Sequence, residues 1–153
     1  MITLKRKKVI VLKNKIINVL MKNGKKHTGE KILLKSSKLL QKSSRKNFQN
    51  LFQLAIINTT SAFKLNEQVM KKGKRKSTKI TPSFIVKDSL RIMTALKYIK
   101  TTVHKNKSST SFYKNLVNEI LASSSLKSQS IEQKTKLQTQ ILLNKRYLSK
   151  FKW

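Results

Sequence analysis

The chain has 153 residues, of which 36 are Lys or Arg and only 5 are Asp or Glu, for a formal net charge of +31. A compact fold with that surplus repels itself unless a polyanion neutralises it, and nucleic acid is the commonest polyanion. The absence of Cys excludes disulfides and thiolate metal sites, and no apolar run approaches the ~20 residues of a membrane-spanning helix.

The apolar fraction is 38%, with three Gly and one Pro. Its apolar residues recur with helical period, which sets the chain apart from disordered sequences of similar charge. The length suits one domain around one core.

Met1 to Ile10 form a basic arm in which Lys5, Arg6, Lys7 and Lys8 are candidate phosphate contacts. The arm lacks the apolar segment of a secretory signal, so the chain is expected to act in the compartment where it is made. Residues 11–153 read as a single helical domain.

The first helix is expected from about Val11 to Lys22, with Leu12, Ile16, Val19 and Leu20 on its apolar face. Asn23 and Gly24, tolerant of positive φ, end it. Lys25 and Lys26 fall in the turn, and a second helix runs from about Thr28 to Leu40. A third runs from about Asn47 to Ala62, with Phe48, Leu51, Phe52, Ala55, Ile56 and Thr59 on one stripe.

Phe63 to Asn66 and Ile80 to Lys87 read as short strands. The intervening Lys71, Lys72, Lys74, Arg75, Lys76 and Lys79 surround Gly73, giving a hairpin over about 63–87 with a basic, extended tip. Asp88 reads as the N-cap of a fourth helix to about Thr102, carrying Arg91 and Lys97 as candidate RNA contacts and Tyr98, which is either core or base-stacking. Thr110 or Ser111 caps a fifth helix, carrying Lys114 and ending at Ser123 to Ser125. Ser130 and Gln133 fit a capping box for a last helix to about Ser149. Lys150, Lys152 and Trp153 close the chain; Trp153 either docks on the core rim or stacks on RNA. The fold class is therefore mainly α, six helices with a protruding basic β-hairpin between the third and fourth.

The two histidines, His27 and His104, have no acid placed to orient them, and no HExxH or phosphate-binding Gly loop appears. The acids are Glu30, Glu67, Asp88, Glu119 and Glu132, scattered and poor material for a metal site. Asp88 and Glu132 sit at helix starts, where the helix dipole favours negative charge. No enzyme activity, cofactor, metal or small-molecule substrate is expected. A nucleic-acid-compacting protein and a membrane-active amphipathic protein are the rival classes; the loops and caps of a packed domain disfavour the second.

Five patches then resemble the bacterial-type small-subunit ribosomal protein seven family. Ile16-Ile17-Asn18-Val19-Leu20-Met21-Lys22-Asn23-Gly24-Lys25-Lys26-His27-Thr28 is similar to its first-helix signature. Phe52-Gln53-Leu54-Ala55-Ile56-Ile57-Asn58 resembles F-x-x-A-L-E-N, and Ala95-Leu96-Lys97-Tyr98-Ile99 resembles A-x-R-W-I. Leu116-Val117-Asn118-Glu119-Ile120 resembles L-A-N-E-L, and the end from Asn144 to Trp153 resembles N-K-A-F-A-H-Y-R-W. The patches run in the family's order over residues 11–153. The chain departs in having Gly73 alone in the hairpin, a more basic tip, a short arm, and one extra residue between Asn144 and Trp153.

The resemblance implies binding to the 3′ major domain of small-subunit ribosomal RNA, early assembly of the subunit head, and a place near the exit-site tRNA and the mRNA path. It implies neighbouring head and platform proteins as partners and no membrane. The drift from the pattern suits a mitochondrial member better than a plastid or bacterial one. A basic set holding only five Arg, with abundant Lys, Asn, Ile and Ser, points to an A/T-rich genome.

Overall fold

A computed structural model describes residues 12–44, 47–72, 75–106 and 111–144. Among the described residues, six helices and one hairpin follow in order. They are α1 (12–20), α2 (Lys26–Ser43), α3 (Phe48–Thr59), β1 (Phe63–Lys72), β2 (Arg75–Phe84), α4 (Asp88–Lys105), α5 (Phe112–Ser124) and α6 (Gln129–Leu143). The basic arm, Lys74 and the tail bearing Lys150, Lys152 and Trp153 lie outside the described residues, as does the expected run of the last helix to Ser149.

The turn between α1 and α2 forms where Asn-Gly was expected. Asn23 and Gly24 both take left-handed φ, +51° and +72°, a conformation that costs Gly nothing and Asn little. The reversal lays α2 across the end of α1. Gly29 permits the approach: a Cβ there would stand 3.3 Å from the Ile17 carbonyl oxygen.

Helix α5 is the central element and packs against α2, α3, α4 and α6. Its Leu116 and Ile120 are sealed from solvent with Ile17, Leu40, Phe52, Ala55, Ala95 and Ile99. These residues recur at helical period on facing helices, so one apolar core forms from the stripes that the sequence displays. Leu90, an apolar residue of α4, is exposed.

Three local expectations are corrected. The strands are longer than their β-branched ends suggested: pairing runs from Phe63↔Phe84 through Lys71↔Lys76 to Lys72↔Arg75. Most of the basic stretch is therefore ladder rather than tip, because backbone hydrogen bonds propagate whatever the side chains on a ribbon that stands clear of the core. Asp88 is the first residue of α4 rather than its cap, which is Lys87. Ser128, not Ser130, caps α6, its hydroxyl accepting from the Ile131 N–H. Ser130 is buried instead, where its N–H (3.2 Å) and hydroxyl both donate to Glu119 Oε1.

The hairpin is fastened at its base. Phe63 and Phe84 meet edge to face at 5.6 Å, the Ile85 N–H donates to the Ala62 carbonyl at 2.8 Å, and β1 rests on α6.

Candidate nucleic-acid interface

The cations divide into two groups by what they touch. Lys100 Nζ donates to the Val19 carbonyl at the end of α1, and Lys134 Nζ donates to the Asn58 carbonyl, in the last turn of α3, at 2.7 Å. Both place positive charge where a helix dipole is negative. Arg91 Nε donates to the Ile85 carbonyl at 2.7 Å, its guanidinium lies 4.9 Å from the Phe84 ring centroid, and Asp88 stands 3.5 Å away. That side chain, expected on RNA, binds the hairpin base to α4.

The second group is exposed and carries no carboxylate partner. Among the described residues the ion pair is Arg91–Asp88; His27, against expectation, has an acid beside it, Glu30 three residues on at 3.9 Å. Lys25 and Lys26 stand exposed at the corner that the left-handed turn creates. Lys97 is exposed on α4 and Lys114 on α5.

The hairpin concentrates charge through its register. Lys71 is set against Lys76, and Lys72 against Arg75. Like charges at directly opposed positions destabilise a two-stranded ladder, so this ribbon is relieved when anions neutralise it. Lys79 pairs with Gln68 further down.

A further basic element was not among the contacts expected from the sequence. Lys31, Lys35, Lys38 and Lys42 recur at i, i+4, i+7 and i+11 along α2, and all four are exposed. That spacing places them on one face, opposite the face that buries Gly29, Leu33, Ser36 and Leu40. Lys35 Nζ lies 5.7 Å from the centroid of Tyr113 on α5, so the stripe adjoins an aromatic ring and neighbouring Lys114. Cations interleaved with a partly open aromatic ring suit a nucleic-acid strand, whose phosphates pair with the lysines and whose bases stack.

Tyr98 is half-buried on α4, and burial raises its phenol above the ordinary tyrosine value because the phenolate loses solvent. No group of three His, Asp or Glu able to hold a metal ion occurs among the described residues, and no described helix is long and apolar enough to cross a membrane.

Acids spent on helix starts and buried bonds, with lysines left to the surface of a helical frame, define an RNA-binding scaffold protein. The family model of ribosomal protein S7p/S5e matches residues 2–144, and the chain belongs to that family. It is a structural constituent of the small ribosomal subunit, where it binds the subunit's RNA among neighbouring ribosomal proteins. No curated protein matches the chain.

Proposed function

We propose that the protein binds the 3′ major domain of small-subunit ribosomal RNA and organises the head of the subunit. The observation that carries this reading is the α2 stripe, Lys31, Lys35, Lys38 and Lys42, on the helix that starts at the Lys25–Lys26 corner and without a carboxylate partner among the described residues. Lys is a point charge without a fixed fork, so recognition rests on the shape of folded RNA more than on base identity.

The hairpin is the second arm of the proposal. A two-stranded ribbon is narrow and carries its charge beyond the helical body, which suits a position beside the exit-site tRNA and the mRNA path. The mitochondrion is the proposed compartment, supported by the Lys-dominated basic set.

The test is binding of the full chain to separate transcripts of the 3′ major and 5′ domains of the ribosomal RNA. Preference for the 3′ transcript that survives raised salt supports the reading. Equal binding to both, and to duplex DNA, identifies a compacting protein instead. Triple reversal of Lys74, Arg75 and Lys76 to Glu is expected to leave 3′-domain binding in place and to weaken exit-site tRNA on reconstituted subunits.

A further inference from the structure

A polar cleft of about 530 Å³ opens where the end of α4, the middle of α5 and the start of α6 converge. Asn106, Asn118, Glu119, Lys127 and Gln129 line it. It lies apart from the α2 stripe and the hairpin in residue content, and nothing in the RNA-backbone reading uses it.

Glu119 gives the cleft its character. It is only 6% exposed, and its Oε1 is occupied by the N–H and hydroxyl of Ser130. The other oxygen takes no donor among the described residues. Glu119 itself is among the residues that line the cleft. The acceptor therefore faces the cleft. Around it, Asn118 and Gln129 are exposed amides with no hydrogen bond to the described protein. Asn115, by contrast, is held by donating to the Asn106 carbonyl at 3.1 Å. Lys127 is exposed at the same wall, and Lys114 lies one helical turn before Asn118 on α5.

A carboxylate oxygen on this floor repels phosphate, so the cleft is not another backbone contact. A carboxylate oxygen takes N–H or O–H donors and offers none. Of the four RNA bases, guanine alone presents two adjacent N–H donors, at N1 and N2, beside a carbonyl acceptor at O6. Adenine and cytosine set a ring-nitrogen lone pair next to their amino group, and uracil flanks one N–H with two carbonyls. One carboxylate oxygen set between N1–H and N2–H, with an amide N–H for O6, is a complement of guanine. Sequence-specific readers of RNA take unpaired bases by this edge. The volume admits one nucleotide, with Lys127 at the wall to meet its phosphate.

We infer that this cleft receives an unpaired guanine of RNA, with Glu119 accepting from its Watson–Crick edge and Asn118 or Gln129 donating to O6. The inference rests on the RNA-binding reading and adds base selectivity at one place to a protein that otherwise reads shape.

The test uses labelled pentanucleotides UUGUU, UUAUU, UUCUU and UUUUU with the full chain at about 0.2 M KCl, where backbone attraction is weakened. A preference for UUGUU of about fivefold or more is expected, the discrimination of one well-made paired contact. Inosine in place of guanine lacks the N2 amino group and is expected to lose most of it. Glu119→Gln risks the fold through Ser130, so the exposed pair Asn118→Ala with Gln129→Ala is the second variant. It is expected to equalise the four pentamers while leaving their shared affinity. Equal binding of all four by the unaltered chain overturns the inference but leaves RNA binding intact, as does a guanine preference that survives the double variant. Absence of binding to every pentamer at low salt overturns the RNA-binding reading itself.

Discussion

Replacing Lys31, Lys35, Lys38 and Lys42 by Gln tests the α2 stripe with little disturbance to the fold. All four are exposed, Gln keeps a comparable helix propensity, and the change removes like-charge repulsion at i, i+3 and i+4. The stripe spans about 16 Å at the rise of an α-helix. If each Lys neutralises one phosphate, the log–log slope of affinity against salt falls by about 3. Taken from a common intercept near 1 M salt, that loss weakens binding at ~0.15 M by roughly 300-fold. The assay is anisotropy or filter binding to a 3′-major-domain transcript across a salt series, with melting of the free variant alongside. The controls are Lys100→Gln and Lys134→Gln, whose ammonium groups are engaged on helix carbonyls; they are expected to lower the melting temperature and to leave the slope unchanged. A quadruple variant that melts normally and changes the slope by less than about one unit refutes the stripe as an RNA contact.

Ser130→Ala removes the hydroxyl that donates to buried Glu119 and contacts Thr102 Oγ1 at 3.2 Å; a loss of about 2 kcal/mol in urea unfolding is expected, and an unchanged midpoint contradicts the network. Leu126 ends α5 at a left-handed φ of +64°, with Leu126 N–H donating to Ser123 and Lys127 N–H to Ala122. This is the Schellman position usually given to Gly, and Leu126 is exposed, so Leu126→Gly is expected to stabilise by about 0.5 to 1 kcal/mol in the same measurement. Burial raises the Tyr98 phenol, so the unfolded chain releases this proton first as pH rises. The contribution is fully present below pH ~10 and is lost as pH climbs through the raised folded value. Absorbance titration of phenolate is expected to show a late component that disappears in Tyr98→Phe.

The parts of the fold set by local chemistry were legible in the chain. Asn23-Gly24 marked a reversal because few other pairs accept two successive left-handed residues, and the helical stripes marked the core because each is read within one element. What was not legible depended on distant partners. Ser128 and Ser130 both offer a cap, and the choice is settled by Glu119, eleven residues from Ser130, which draws Ser130 inward. Arg91 and Lys134 look like surface cations until Ile85 and Asn58 are placed beside them. The α2 stripe was hidden for a different reason. In a chain this rich in Lys, a periodic subset does not stand out until burial of Leu33, Ser36 and Leu40 shows which way the helix faces.

The few acids explain how a chain of +31 forms a body at all. Asp88 and Glu132 lie in the first turns of α4 and α6, where negative charge meets the positive end of a helix dipole. Glu119 ties α5 to the start of α6, and Glu30 lies near His27 at the start of α2. None of these is spent on neutralising the α2 stripe. The hairpin is arranged oppositely: Glu67 is its only acid, paired in register with Ile80, while Lys71, Lys72, Arg75 and Lys76 oppose one another further out. The acids at the helix starts thus favour the helical body, while the like charges in register oppose the outer ladder. RNA binding is therefore expected to add more stability to the outer hairpin than to the helical frame.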